Sequence, residues 1–281
     1  MALYGRWALS TAKRLNAGDR NSGIVAWIAL MAALLVPAGI VTALAHAAHP
    51  VAVYALDVVV LYGTLRFLST TGRLAGIERA LREGDVASAA SQLGEWRGVP
   101  VDGDDASAVA RLAAEHALRE AHIGAFGPLF WFLVLPGPIG LVLHPLAQRA
   151  ARTWELVDSD ERDFGWFATR AFHVIDWIPQ RVTAFAFAVV GNFEDALFCW
   201  RMQAAGWIAP DEGIVLASGA GALGVRLGEP VPGPGAFVVR PPLGQGELAR
   251  EDALASLEGL LWRALVLWLV VFLVAAALGS R

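Results

Sequence analysis

The apolar pattern of the N-terminal region is one long uncharged run. Residues 24–44 carry no charged side chain, and four cationic residues precede them: Arg6, Lys13, Arg14 and Arg20. A run of this length can cross the hydrocarbon core of a bilayer, and it is too long and starts too late for a cleaved signal peptide. The pattern predicts a transmembrane helix with the N-terminus on the cytoplasmic side, where basic flanks accumulate.

A second, shorter apolar run at residues 51–65 predicts the return half of a helical hairpin. It contains Asp57, and Arg66 follows it as an interfacial stop. A carboxylate at membrane depth costs about 2.5–3.5 kcal/mol on insertion scales. We therefore expect Asp57 to face protein or water rather than lipid, either as a packing residue satisfied by a neighbour or in a functional role.

Two more apolar runs lie in the second half of the chain. Residues 127–147 carry Pro-Gly-Pro at 136–138. Because proline removes a backbone donor, this run predicts either a kinked helix or a re-entrant pair of half-helices. Residues 259–278 predict a terminal span in which Arg263 extends toward the interface.

An amphipathic pattern separates the hairpin from the Pro-Gly-Pro run. Leu74, Ile77 and Leu81 recur at helical spacing with charged residues opposite them, which predicts surface helices. Asp105 or Ser107 is expected to cap a further helix of this kind. The positive-inside rule places the region in the cytoplasm.

These patterns together predict an all-α fold: a polytopic membrane helix bundle of about four membrane segments, one of them broken or re-entrant, with a cytoplasmic insertion of amphipathic helices. The composition agrees, since only 17% of residues are charged, against roughly 25% in soluble domains. Five regions are expected: a basic N-terminus and hairpin at 1–69, amphipathic helices at 70–121, a core with the broken segment and a polar cluster at 122–205, a Gly/Pro-rich loop region at 206–250 and a C-terminal span at 251–281.

Charge and cysteine usage narrow the classes of partner. The net charge is −4 and the 22 cationic residues are scattered, so we expect no nucleic acid as partner. The apolar runs predict a lipid bilayer as partner. The single Cys199 cannot form an intrachain disulfide, and no metal-ligand spacing is present. Four histidines stand outside the polar cluster described below and are expected to be packing or interface residues, whereas His173 belongs to that cluster. The four are His46, His49, His116 and His144.

Candidate chemistry concentrates ahead of the apolar stretch at 182–190. Arg170, His173 and Asp176 recur every three residues, which places them within one arc of a helix. Pro179 predicts a break in that helix, with Arg181 in the first turn of a new one. Arginine binds phosphate or carboxylate groups, and histidine exchanges protons near neutral pH. The four ionisable side chains are therefore predicted either to bind a ligand in a shared recess or to form an interfacial ion network.

The stretches around this cluster resemble a known family. GPLFW at 127–131, PGPIGLVLHPLAQ at 136–148, DERDFGWFATR at 160–170 and IPQRVTA at 178–184 are similar to the CobD/CbiB family of polytopic membrane proteins, over roughly residues 60–200. The resemblance implies a relative of adenosylcobinamide-phosphate synthase, which joins an aminopropanol phosphate to a corrinoid carboxylate in cobalamin biosynthesis. Members tend to begin with a further hydrophobic segment, so a first span is expected to be missing here.

The chain also departs from the synthase pattern. It has Arg-Glu at 119–120 where synthases carry Glu-Asn, and Phe-His at 172–173 where they carry Asp-Asp. An enzyme of that kind needs acidic residues for magnesium and nucleotide. Gly-Val-Pro at 98–100 and HVIDWIP at 173–179 instead resemble the AmpE branch, an inner-membrane protein associated with β-lactamase induction.

The resemblance therefore implies, as the main interpretation, an AmpE-like protein of the bacterial inner membrane that binds a small anionic metabolite or a partner in cell-envelope sensing. Its predicted ligand-binding residues are Arg170, His173, Asp176, Arg181, Glu120 and Trp131. The alternative is a corrinoid-pathway enzyme whose metal-carrying acids would be Glu120, Asp160, Asp163 and Asp176. The catalytic residues and the cofactor stay open.

Overall fold

The computed structural model describes residues 2–17, 19–135, 137–157, 163–207, 209–228, 231–233, 236–238 and 240–279. Within these ranges most of the chain is helical. The helices are α1 Ala2–Leu15, α2 Arg20–Ala48, α3 Pro50–Thr64, α4 Phe67–Arg82, α5 Val86–Arg97, α6 Ala106–Ala121, α7 Gly127–Val134, α8 Ile139–Val157, α9 Trp166–Val190, α10 Phe193–Gln203, α11 Pro210–Leu223 and α12 Glu251–Gly279. A π-helical turn, His122–Phe126, joins α6 to α7, and a 3-10 turn, Ala204–Gly206, follows α10.

Short strands lie between α11 and α12, in the region predicted as Gly/Pro-rich loop. They are β1 Val225–Leu227, β2 Val231–Gly233, β3 Ala236–Val238, β4 Leu243–Gly244 and β5 Glu247–Leu248. Strand β1 pairs with antiparallel β4 and parallel β5, and β2 pairs with antiparallel β3. Gly244 has a φ of +88°, and a Cβ atom there would lie 2.0 Å from the Val225 oxygen. Only glycine lets β4 come this close to β1.

The chain forms two compact units, and each unit draws on two separate stretches. The first unit contains Met1–Leu65 and Ile123–Pro179. The second contains Arg66–His122 and Gln180–Arg281. The packing inside each unit therefore joins segments that are far apart in the sequence.

Small residues let α1 approach its neighbours in the first unit. Ala8 and Ala12, one turn apart on α1, are buried together with Leu30 of α2 and Leu146 of α8. The indole Nε1 of Trp154 donates a hydrogen bond of 2.9 Å to the Ala8 carbonyl. An alanine face and one indole bond thus fix α1 against α8.

The Pro-Gly-Pro segment ends one helix and starts another, as predicted, although Pro136 itself lies outside the described residues. Gly137 has a φ of +60°, and a Cβ atom on it would lie 2.7 Å from a methyl carbon of Thr42. A Cβ atom on Gly140 would lie 2.1 Å from the Trp131 carbonyl oxygen, so α7 and α8 pack closely. Helix α7 is about 12 Å long, which is too short to cross a bilayer by itself.

Helix α9 continues through Pro179, so the predicted break at this residue is wrong. Proline has no N–H, and in a helix it leaves the carbonyl four residues earlier without its usual donor. That carbonyl belongs to Ile175, and the indole Nε1 of Trp131 donates to it at 3.2 Å. A side chain 44 residues away thus replaces the missing helical bond.

In the second unit, α4, α5 and α6 pack together as the amphipathic pattern predicts. Leu74 and Ile77 on the apolar face of α4 are fully buried. Asp105 accepts a hydrogen bond of 2.9 Å from the Ser107 amide, so Asp105 is the cap of α6. The amphipathic helices are therefore confirmed, with α4 beginning at Phe67.

Three segments within the described residues are long and apolar enough to cross a membrane: Arg20–Ala48, Val51–Arg82 and Glu251–Val274. Their large apolar side chains are widely exposed, for example Leu44 at 63% and Tyr62 at 86%. Exposed apolar surface of this extent is covered by lipid in membrane proteins. The all-α membrane fold is thus confirmed, with the Pro-Gly-Pro segment present as two helices.

Asp57 lies on α3 and is half-buried. Its Oδ1 atom is buried and has no hydrogen-bond partner among the described residues. His46 of α2 interacts with the carboxylate electrostatically. Part of the carboxyl group therefore faces protein, as expected.

Candidate functional site

The predicted ligand-binding residues are divided between the two units. Those of the first unit are Trp131, Arg170, His173 and Asp176, and those of the second are Glu120 and Arg181. On α9, Arg170 is exposed, His173 is half-buried and Asp176 is buried. The three side chains therefore differ in burial, and they do not all point into one recess. Ligand binding by these residues stays a prediction.

Asp176 pairs with a histidine that the sequence pattern did not connect to it. The Nε2 atom of His144 lies 2.7 Å from Oδ1 of Asp176, and the two side chains are 0% and 4% exposed. The Phe172 ring, one turn before Asp176, meets the imidazole edge-on at 5.5 Å. His144 is buried, but the expectation that it stands apart from the polar cluster and that His173 is the histidine of the cluster is wrong, because His144 pairs with Asp176.

Gly127, at the start of the GPLFW stretch and of α7, makes room for this pair. A Cβ atom on Gly127 would lie 2.4 Å from Nε2 of His144, so the imidazole lies directly against the glycine backbone. The pair joins α8 to α9. The Gly127 backbone and the Phe172 ring pack against the imidazole, and both side chains are almost completely buried. In this conformation it does not present a surface to a substrate.

The second unit places buried charges along one face of α6. Glu115 accepts a hydrogen bond of 3.0 Å from the Gly228 amide, and its other oxygen pairs with Arg240. The side chains of Arg240 and Glu115 are 10% and 9% exposed. The Arg240 guanidinium also lies 5.5 Å from the centre of the Trp207 ring. Both carboxylate oxygens are thus bonded, as burial of an ion requires.

Two further ion pairs lie at the C-terminal end of α6. Glu120 is 3.0 Å from Nη2 of Arg66, and Nε of Arg119 is 2.6 Å from Glu212. Arg119 and Glu212 form an ion pair, but the Arg119 Nε–H bond does not point at the carboxylate and makes no hydrogen bond with it. The sequence analysis named Glu120 but missed Glu115. The one indication of its role is that Arg111, Glu115 and Arg119 follow one another at intervals of four in an alanine-rich helix, and so lie on one face of it.

Three of the four acidic residues that the alternative function assigned to metal have basic partners. Asp163 lies 2.9 Å from Arg20, Glu120 and Asp176 are paired as described above, and Asp160 lies outside the described residues. Magnesium is usually bound through one or two carboxylates together with waters and substrate phosphates. Each of these three carboxylates is paired with a basic side chain in this structure, and metal binding by them stays a prediction.

The fold and these contacts define a helical membrane protein with buried ion pairs. The sequence profile of the CobD/Cbib protein family matches residues 1–278, so the chain belongs to this family. A relative in Chromobacterium violaceum, named cobalamin biosynthesis protein CobD, is 34% identical and covers 88% of this chain and 78% of its own length. A relative of the same name in Stutzerimonas stutzeri is 30% identical, with 97% and 89% covered. No solved structure matches the chain.

The family resemblance is confirmed and extends well beyond the motifs that revealed it. The AmpE-like interpretation, a sensor in β-lactamase induction, is wrong, because relatives at 26–34% identity are named for cobalamin biosynthesis. That interpretation rested on local departures at 119–120 and 172–173 and on the short stretches 98–100 and 173–179. Such departures carry less weight than similarity along nearly the whole chain.

Proposed function

We propose that this chain is a membrane enzyme of cobalamin biosynthesis that forms an amide between a corrinoid carboxylate and the amine of an aminopropanol phosphate. The observation that carries the proposal is similarity along nearly the whole chain to two relatives named cobalamin biosynthesis protein CobD. The reaction is the one that the family resemblance implies. A carboxylate must be activated before an amine displaces its oxygen, and a nucleoside triphosphate is the expected activator.

The second unit is the better candidate for substrate binding. Its buried arginines provide the cationic surroundings that carboxylate-rich and phosphate-bearing substrates require. The polar pair of the first unit, His144 and Asp176, is enclosed instead. Substrate recognition is therefore assigned to the face of α6 rather than to α9.

We also place the protein in the bacterial inner membrane with its N-terminus in the cytoplasm, because the basic residues between positions 6 and 20 precede the first span. Cys199 is the single cysteine and is buried. In a Cys199→Ala background, Ala17→Cys gives one exposed thiol. A membrane-impermeant maleimide is expected to label it only after the cells are lysed, and labelling of intact spheroplasts would contradict this orientation.

Complementation tests the proposed reaction. A Chromobacterium violaceum strain lacking CobD, held under cobalamin-dependent growth, is expected to use cobyric acid only when it expresses this chain. The same strain should grow on cobinamide without the chain, because cobinamide already contains the amide. Reintroduced CobD is the positive control. No growth on cobyric acid, with the chain detected in the membrane fraction, would overturn the proposal.

A further inference from the structure

Basic side chains gather at the C-terminal half of α6 in the second unit. Arg119 and His116 belong to α6, while Arg97 ends α5 and Arg66 directly precedes α4. Together these four residues form the cationic cluster. The His116 ring meets the Trp96 ring edge-on at 4.7 Å. Burial lowers the pKa of His116 to about 3, and the next largest lowering contributions come from the three arginines. The imidazole is thus neutral at physiological pH and lies within the field of all three guanidinium groups.

Among the described residues, Glu120 pairs with Arg66 and Glu212 with Arg119, which leaves Arg97 as the arginine of the cluster without a carboxylate of its own. Burial lowers the pKa of Arg97, Glu115 opposes this effect, and Arg240 and Arg119 add to it. Glu115 is already held by Arg240 and by the Gly228 amide. In the part of the chain that the structure describes, Arg97 therefore shares a carboxylate that Arg240 already occupies, so one positive charge has no carboxylate of its own.

Several nitrogen atoms here are buried without a hydrogen-bond partner in the described part of the chain. They are Nε of Arg66, Nη2 of Arg119, Nε2 of His116 and, further along the same helix, Nε of Arg111. Arg111 is only 5% exposed and uses Nη1 to reach Ser107 at 2.8 Å. Buried polar groups without partners cost free energy, so a group of them on neighbouring helices indicates a missing acceptor.

We infer that the cationic cluster binds an oxoanion of the phosphate class. Guanidinium groups hold phosphate oxygens through paired, charge-assisted N–H bonds, and a phosphate supplies both the negative charge and the acceptor oxygens that the cluster lacks. The inference rests on the proposed function in one respect: the phosphate of the aminopropanol substrate is the first source considered. A phospholipid headgroup carries the same chemistry and is the second.

Calorimetric titration of the purified chain in phospholipid-free detergent tests the inference, with inorganic phosphate and aminopropanol phosphate as probes. The wild type is expected to bind both, and Arg119→Gln to bind at least about tenfold more weakly, because one guanidinium fork is lost. Arg79→Gln, which removes an exposed arginine of α4, is the matched control and should bind as the wild type does. No phosphate binding by the wild type, or equal affinity in Arg119→Gln, overturns the inference.

Arg119→Lys keeps the charge but not the planar fork, so it separates recognition from folding. We expect it to retain the unfolding midpoint of the wild type and to bind phosphate more weakly. Wild-type affinity in this variant would refute recognition by the guanidinium. Nanodiscs of phosphatidylglycerol or phosphatidylcholine then identify the source: competition by phosphatidylglycerol alone assigns the site to a headgroup, and lack of competition assigns it to a soluble phosphate.

Comparison with complementation keeps the two proposals apart. If the chain restores growth on cobyric acid but phosphate binding does not depend on Arg119, the assignment of the cationic cluster as an anion site is wrong and the proposed function stands. If Arg119-dependent phosphate binding is found in a chain that does not restore growth, the proposed function is wrong and the anion site stands.

Discussion

The two units bury polar groups in opposite ways. In the first unit, His144 and Asp176 are enclosed by Gly127 and Phe172, and neither side chain is more than 4% exposed. In the second unit, ion pairs lie along α6, and their arginine side chains keep some exposure, 27% for Arg66 in particular. The first arrangement is closed, whereas the second is partly exposed, and Arg66 and Arg119 have buried nitrogen atoms without a hydrogen-bond partner among the described residues.

This difference shows what distinguishes a structural polar pair from a binding site in an apolar bundle. Both arrangements contain a histidine and an acidic residue on packed helices, so residue type alone does not distinguish them. Their charge balance and their exposure to solvent distinguish them. An enclosed pair stabilises the contact between two helices, while an accessible excess of guanidinium groups can recruit an anion.

Loss of Glu115 should have the largest effect, because it would leave Arg240 buried without its carboxylate. Removing one partner of a buried ion pair costs about 3–5 kcal/mol. Glu115→Ala is expected to lower the thermal unfolding midpoint in detergent strongly, and Glu95→Ala, at an exposed position of α5, is expected to leave it unchanged. Equal midpoints for Glu115→Ala and wild type would contradict the described network.

Loss of Asp176 should destabilise the first unit less. Asp176→Ala leaves the buried His144 without its acidic partner, which costs about 1–3 kcal/mol, and Asp176→Asn should cost less because its amide oxygen can still accept a hydrogen bond. Glu194→Ala, at an exposed position of α10, is the control. Thermal unfolding checks the order, and an Asp176→Asn variant less stable than Asp176→Ala would argue against the His144 bond.

Acidification should destabilise the protein through His116. Its folded-state pKa is about 3, below the value of about 6.5 expected in the unfolded chain. The unfolded chain thus binds the proton first, and stability falls as the pH drops below 6.5, by about 1 kcal/mol between pH 6.5 and 5.5. His116→Gln should remove this contribution and His46→Gln should keep it. The same pH dependence in wild type and His116→Gln would contradict a neutral buried imidazole.

The smallest effect is expected from Trp131→Phe. It keeps an aromatic ring but removes the indole donor to the Ile175 carbonyl, at a cost of about 1 kcal/mol. Trp166→Phe, at an exposed position, is the control. Unfolding midpoints of the two variants should differ, and the Trp131 variant should be the less stable. The reverse order would remove the explanation for an unbroken α9.

The elements that local sequence determines were predictable. Apolar runs gave the first and last spans, the helical period gave α4 to α6, and Asp105 was a candidate cap because capping involves neighbouring residues. The interruption at Pro-Gly-Pro was predictable for the same reason. Each of these features needs information from only a few consecutive residues.

The features that depend on distant residues were not predictable. Pro179 breaks a helix when its neighbours alone are considered, but Trp131 satisfies the carbonyl that it frees. Glu115 and Arg240 are 125 residues apart, and no periodicity connects them. His144 and Asp176 lie on different helices, so the α9 spacing that drew attention to Asp176 gave no indication of its partner.

Product analysis with the purified chain tests the central claim most directly. Nanodisc-embedded protein would receive cobyric acid, aminopropanol phosphate and magnesium ATP, and mass spectrometry would follow the corrinoid. The proposed function predicts a product with the mass of both substrates less one water, formed only when all components are present. No such product from protein that remains folded in the nanodiscs would contradict the claim.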